Sequence, residues 1–376
     1  MKLKILQNKL KEGLRVVERI IVKSLTLPIL NNILIKTEKN LLNLSSTNLE
    51  IGIKWWGLAK VDEEGAIVIP SRILSDFFSF LDKEPINLRT DNQILILETE
   101  KYNTKIKGFN PEDFPIIPHL TPQEIIGVKS SVFCQGLEQI VQIPILSSAR
   151  PEISGIYLSF QKNLITMVAT DSFRLGEKKI VLKESSPLQK EYSLILPQRA
   201  AKEIINIFGE KEKELKIYFS PNQILFESEM EEIDHPEIQL ISKLIEGEYP
   251  DYRGILPEKF TTLITLNKNE FLNQLRAASL FASKINEIKL KTDTKGGKLE
   301  IFSQNPDLGE YHSSLFAKIQ GKDLEISFNF RFLIDGLSNV KSSQVVFELK
   351  GEEEAAVLKG VDDESYIYLV MPIKPT

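Results

Sequence analysis

Two short patterns each recur three times along the 376-residue chain, and this repetition limits the possible folds more than any composition figure does. The first is a strand running into a helix opening: "KLKILQNKLKEGLRVV", "GVKSSVFCQGLEQIVQ" and "TTLITLNKNEFLNQLRAA". Leu10 and Leu14, Phe133 and Leu137, and Phe271 and Leu275 stand four apart at matched places, which puts each pair on one helix face. The second pattern is "AIVIPSRILSDFFSFL", "YSLILPQRAAKEIINIF" and "EISFNFRFLIDGLSNV". Two places after Pro70, Pro197 and Asn329 come Arg72, Arg199 and Arg331, and four places after each arginine comes an acid, Asp76, Glu203 or Asp335. Pro70 and Pro197 suit a first helical turn, where a missing N–H costs nothing. The Arg199 and Glu203 spacing favours a pair along one helix.

Each second pattern leads into short alternating segments broken by "DN", "PN" and "KG", the mark of antiparallel meanders. The expected fold is therefore α+β: three repeated domains, each with two helices packed on antiparallel sheet. Boundaries fall at residues 1–125, 126–257 and 258–376. The helices are expected in "NKLKEGLRVVERIIVK", "SRILSDFFSFLDKE", "VFCQGLEQIVQ", "QRAAKEIINIFGE", "NEFLNQLRAASLFASKI" and "NFRFLIDGLSNVK".

The signals of enzyme chemistry are missing from the sequence. Its three histidines, His119, His235 and His312, lie far apart, and none stands at metal-ligand spacing from another. There is neither a glycine-rich phosphate loop nor a "GxSxG" elbow. The lone Cys134, in "SSVFCQGLEQI", reads as a buried apolar filler and fits a reducing compartment, here the cytoplasm. The opening "MKLKILQNKLKEGLRVVERI" is amphipathic, and no apolar run has the length of a membrane span. No metal, cofactor or membrane partner is expected.

The net charge of −5 argues against a surface that binds polyanions everywhere. Summed alone, the expected helices carry about +3 and the remainder about −8. Lys9, Lys11, Arg15, Arg19 and Lys23 contribute most of the helical excess. A basic helical side on an acidic body suits contact with phosphates that is independent of sequence and sensitive to salt.

The segment "ATDSFRL", residues 169–175, interrupts two strand-like runs with Asp171 and Arg174. Alone, the two charges read as an ion pair at a turn. Set beside "EYPDYRGILP", the terminal "YLVMPIKPT", and "TLPILNNILI", "STNLEIGI" and "FNPEDFP" nearer the start, the segment gains a context. Together with the threefold repeat, these stretches resemble the β sliding clamp family of bacterial DNA polymerase III, over the whole chain. The resemblance implies a ring-shaped, head-to-tail homodimer with helices lining a hole that holds double-stranded DNA. Its implied partners are the replicative DNA polymerase, the clamp loader, repair polymerases and other proteins carrying a clamp-binding motif.

The resemblance also implies sites. The family's peptide pocket maps onto Ile153, Thr170, Ser172, Phe173, Arg174, Leu175, Pro250, Ile255, Leu369, Met371 and Pro372. In this reading Arg174 is a rim group whose head meets solvent or peptide, while Asp171 fixes the turn. Ser172 and Phe173 replace the family's usual Gly-His, Gly254 stands where a basic residue is common, and "KPT" extends the usual end. DNA contacts map to Lys23, Arg72, Arg150, Arg199, Lys202, Arg276 and Lys284. The subunit interface maps to Leu280 and Phe281 on one side and to Thr104 and Ile106 on the other. Two other readings compete: a scaffold ring that has lost DNA sliding, and an enzyme using Asp171 and Arg174 in an inter-domain cleft.

Overall fold

The computed structural model describes residues 1–81, 83–118, 120, 124–182, 188 and 190–374. His119, Pro375 and Thr376, which entered the sequence reading, lie outside the described residues.

One strand and helix order recurs three times, except that the second copy has, among the described residues, no counterpart of the short strand that the other two copies place before the strand leading into their second helix. The first copy runs β1 (Lys2–Leu6), α1 (Gln7–Val17), β2 (Asn32–Glu38), β3 (Leu41–Thr47), β4 (Ile51–Leu58), β5 (Lys60–Glu63), β6 (Ala66–Pro70), α2 (Ser71–Ser79), β7 (Pro85–Asp91), β8 (Ile94–Glu98) and β9 (Asn103–Lys107). The second runs β10 (Ile125–Lys129), α3 (Ser130–Glu138), β11 (Gly155–Phe160), β12 (Leu164–Thr170), β13 (Arg174–Val181), β14 (Tyr192–Pro197), α4 (Gln198–Phe208), β15 (Glu214–Phe219), β16 (Gln223–Glu229) and β17 (Pro236–Lys243). The third runs β18 (Thr262–Asn267), α5 (Lys268–Ser279), β19 (Glu287–Asp293), β20 (Lys298–Asn305), β21 (Gly309–Phe316), β22 (Lys318–Gly321), β23 (Glu325–Asn329), α6 (Phe330–Asn339), β24 (Gln344–Leu349), β25 (Ala356–Gly360) and β26 (Asp363–Val370).

Each helix follows its strand without a loop, which explains why the expected helix starts agree with the structure. Their ends come earlier than expected. After Val17 the first helix tightens into a 3-10 turn, Glu18–Ile20, and Lys23 lies beyond it. Pro70 and Pro197 are not in the first helical turn. They close β6 and β14, paired with Asn32 and Gly155 at sheet ends, where a proline's missing donor is tolerated.

The strands form four sheets whose orders repeat. One sheet runs β10-β15-β16-β17-β4-β3-β2-β6, and a second runs β14-β11-β12-β13-β26-β25-β24-β18-β22. In both, the last strand of one copy pairs antiparallel with the third long strand of another: β17 with β4, and β26 with β13. The remaining sheets, β5-β1-β7-β8-β9 and β21-β20-β19-β23, hold the matching strands β9 and β21 at open edges.

By contacts the chain divides into two units. The first holds Met1–Cys134 and Arg199–Leu244, and the second holds residues 135–182, Lys190–Gln198 and residues 245–374. Within the first, α1 buries Leu10, Leu14 and Val17, and Gly13 lets the indole of Trp55 approach so closely that a Cβ there would meet it at 2.4 Å. Within the second, α6 buries Leu333 and Leu337, and Gly336 admits the Tyr368 ring in the same way, also at 2.4 Å. An alanine at either glycine would force the ring out of a close-packed core.

Candidate docking pocket and charged surfaces

The turn between β12 and β13 is fixed by its own side chains. The Asp171 carboxylate accepts the N–H groups of Phe173 and Arg174, each at 3.0 Å. The Thr170 hydroxyl donates to the Arg174 carbonyl at 2.8 Å and accepts the Ser172 N–H at 3.2 Å. Ser172 takes a left-handed backbone with φ of 76°. This is a local side-chain-to-backbone turn of the kind Asp and Thr favour.

Alternation along β13 then sends neighbouring residues to opposite faces. Leu175 faces one side, level with Leu369 on β26, and joins Val168, Val357, Leu369 and Tyr252 in a buried apolar cluster. Met371 packs against this cluster, and its N–H donates to the Phe173 carbonyl at 2.8 Å, tying the chain end to the turn. Tyr249, Tyr252 and Leu256 fold over the sheet from the segment after β17. The Tyr252 hydroxyl donates at 2.8 Å to Glu177, a carboxylate buried on the same face. Burial, then this hydrogen bond, pushes the Tyr252 phenol up to about 12. The Tyr157 ring stacks on Tyr249 at 5.2 Å.

Of the predicted pocket residues, the structure therefore gathers Leu175, Leu369 and Met371, with Thr170 opposite Leu175 in the register. Pro250 is half-buried between the two tyrosines in sequence, and Ile255, 53% exposed, ends the 3-10 turn Arg253–Ile255. Ile153 is buried in the 3-10 turn before β11, and Pro372 is half-buried just beyond Met371. Phe173 is 61% exposed and stacks on Phe332 of α6 at 6.5 Å. Gly254 has open space around it, and one place earlier Arg253 is exposed with its guanidinium 6.0 Å from the Tyr252 ring.

Arg174 requires a correction. Its head meets neither solvent nor the Leu175 face; the residue is 7% exposed and points toward α6. Its Nε bonds Asp171 at 2.9 Å, one Nη reaches Asp335, and its guanidinium lies 4.6 Å over the Phe332 ring. Burial works against its charge, but Tyr368, Asp335 and Asp171 outweigh that and hold its pKa above the ordinary arginine value. The bland reading of an ion pair at a turn is thus part of the truth. Sequence reasoning missed Tyr249, Tyr252, Val168 and Val357. Val168 was within reach, since it lies two residues before Thr170 on the same face.

The predicted basic residues divide between the units. In the first, α2, α4 and the 3-10 turn after α1 meet around Glu18–Ile20: Ser75 donates to Glu18 at 2.8 Å, and Arg199 donates to the Ile20 carbonyl at 3.3 Å. Glu203 is not held by Arg199. Arg19 takes it at 2.7 Å, because the turn swings Arg19 alongside α4. Lys23 is exposed, Lys202 half-buried, and Arg72 exposed with Asp76 at 3.7 Å. In the second unit, Arg276 on α5 and Lys284 beyond it are exposed. Arg150 is not on a helix. It stands between Glu152 at 3.4 Å and the Ser172 hydroxyl at 3.4 Å, beside the pocket turn.

The predicted interface residues border the two open edges. Thr104 and Ile106 lie on β9, and Phe281 stacks at 6.0 Å on Tyr311 of β21, with Leu280 70% exposed next to it.

Comparison with known proteins bears on the family and the fold. Family models of the DNA polymerase III beta subunit match in order: the N-terminal domain at residues 1–118, the central domain at 128–251 and the C-terminal domain at 253–374. The beta sliding clamp of Staphylococcus epidermidis is 28% identical over 359 residues, 93% of each chain. That of Staphylococcus aureus strain N315 is 27% identical over the same share. Among solved structures, the sliding clamp of Bacillus subtilis superposes with a TM-score of 0.94 at 23% identity. The DNA polymerase III subunit beta of Pseudomonas aeruginosa gives 0.93 at 24%, and both superpositions cover 100% of each chain. These structures share the fold of three clamp domains.

Proposed function

The chain belongs to the DNA polymerase III beta subunit family, the non-enzymatic β sliding clamps, and from that premise we propose that it encircles duplex DNA as a processivity factor. Two copies associate head to tail, and the closed assembly holds DNA by topology. The replicative polymerase and repair polymerases dock through short apolar peptides in the Leu175–Leu369–Met371 pocket, and a clamp loader opens the assembly. The place of action is the cytoplasm, with the chromosome.

The observation that carries this reading is the pair of open edges. Inside the chain, β17 completes β4 and β26 completes β13, while β9 and β21 hold the equivalent positions with no strand beyond them among the described residues. A second copy that lays its β9 on β21 repeats the internal junction, and doing so twice leaves neither of these two edges unpaired, which is how heterologous contacts close into a ring. Side chains support the match. Carrying over the register of the internal junctions sets Lys105 opposite Glu310, an attractive cross-strand pair. It also sets Thr104 opposite Tyr311 and Asn103 opposite His312. The exposed Leu280 and Leu308 beside β21, and Tyr102 directly before β9, are apolar surface that such a contact would cover.

The test is release from DNA ends. Loaded by a clamp loader on nicked circular DNA, the protein is expected to stay through gel filtration and to leave once the circle is cut. Equal retention on circular and linear DNA would overturn encirclement and favour the scaffold reading.

A further inference from the structure

The hydrogen bonds of the pocket turn are repeated in the first unit. Thr47 donates to the Ile51 carbonyl at 3.0 Å and accepts the Leu49 N–H at 3.0 Å, as Thr170 does with Arg174 and Ser172. Asn48 accepts the N–H groups of Glu50 and Ile51, as Asp171 does for Phe173 and Arg174. Leu49 has φ of 73° against 76° for Ser172. The Lys243 N–H donates to the Glu50 carbonyl at 2.9 Å, matching Met371 and Phe173 at 2.8 Å. In register, Gly52 stands for Leu175, Ile241 for Leu369 and Lys243 for Met371.

A cavity of about 310 Å³ opens at this second turn, walled by Leu49, Ile116, Ile117 and Ile241 with Glu50 and Lys243 at its mouth. Ile117 fills the volume that Leu175 occupies in the other turn, since a Cβ on Gly52 would come within 2.7 Å of it. Pro118 and Ile241 also wall a neighbouring cavity of about 180 Å³ over Tyr218 and Leu225, so the groove is longer than one side chain. Glu50 and Lys243 are both exposed, and neither has an ion-pair partner among the described residues.

We propose that this groove is a second docking site, for a short extended peptide with one aliphatic anchor flanked by an acidic and a basic residue. The inference rests on reading the Leu175–Leu369 pocket as a docking site. The groove's length fits a peptide better than a compact ligand, and the two charges at its mouth complement a zwitterionic segment. The apolar pocket with Met371 at the same place would take an uncharged anchor. The two sites would then select different partners on one scaffold.

The test is methyl NMR on the full-length protein, with an acetylated, amidated Ser-Asp-Leu-Lys-Ser peptide as probe and Ser-Ser-Leu-Ser-Ser as its uncharged control. Saturable shifts are expected at the Ile116, Ile117 and Ile241 methyls, unchanged by Met371→Asp. Lys243→Glu and Glu50→Lys, both at exposed positions, should each weaken the charged peptide about threefold or more. Neither should change the uncharged control. Shifts confined to the Met371 methyl, or no saturable shift at all, would overturn the second site. So would equal loss of both peptides in Lys243→Glu, or a change in its sedimentation, which would assign the groove to contact between copies. The pocket reading is judged separately, by titrating an apolar polymerase peptide and following the Met371 methyl.

Discussion

The turns Thr47–Ile51 and Thr170–Arg174 share a backbone but differ in most of the side chains that project from it. Threonine and an Asn or Asp come first in both, because these two residues make the turn's hydrogen bonds. The next three positions read Leu49, Glu50, Ile51 in one and Ser172, Phe173, Arg174 in the other. The fifth position shows the contrast best. Ile51 is buried as an apolar residue, whereas Arg174 is buried as a charge held by Asp171 and Asp335. The scaffold is therefore set by the first two residues, the third and fourth are free to specialise the surface, and the fifth adapts to what packs beneath the turn.

The largest effect that would sharpen this contrast is expected at the fifth position. Arg174→Met keeps the stem but leaves two carboxylates without their cation, and it should cost about 3 kcal/mol of unfolding free energy. Ile51→Val, at the matching place, should cost about 1 kcal/mol. Denaturant unfolding of both variants checks this, and similar losses would show that Arg174 acts only by filling space. Next comes the pocket itself: Met371→Asp should weaken an apolar polymerase peptide at least about 100-fold in a titration, by putting a charge in a dry site. The dimer should survive that change. Unchanged affinity would refute the pocket assignment.

A smaller effect separates the covering segments, Ile117 over one turn and Tyr252 over the other. Tyr252 keeps its proton to about 12 in the folded chain, against an ordinary value of 10.0. Its folded pKa is raised, so its contribution is complete below pH 10 and is lost as pH rises toward 12. The loss is of order 2 kcal/mol. Tyr252→Phe should flatten this part of the alkaline stability profile, and an identical profile would contradict the burial of the phenol beside Glu177.

Much of this architecture was legible in the sequence because it is local. The six helix starts follow strand ends, and Asp171 and Thr170 announce a turn by their chemistry. Period-two alternation could have separated Arg174 from Leu175, but the family resemblance grouped them in one pocket, and only the structure shows them on opposite faces of β13. What was not legible is long-range. Glu203 meets Arg19 rather than its helical neighbour Arg199, across 184 residues. Tyr249 and Tyr252 stand within a recognised motif, but nothing in their spacing tells that the segment folds back over β13 and β26. Arg150 reads as a loop cation for DNA, and only the fold shows it beside Ser172.

The central claim is that a second copy completes the third junction in the register of the two internal ones. Cysteines at Asn103 and His312, both exposed, test it directly in a chain whose own Cys134 is buried. Opposed strand positions bring Cα atoms within disulfide reach. Mild oxidation of N103C/H312C should give a covalently closed dimer on a denaturing gel, while the out-of-register pair N103C/E310C should give little. Equal cross-linking of both pairs, or none of either, would contradict the claim.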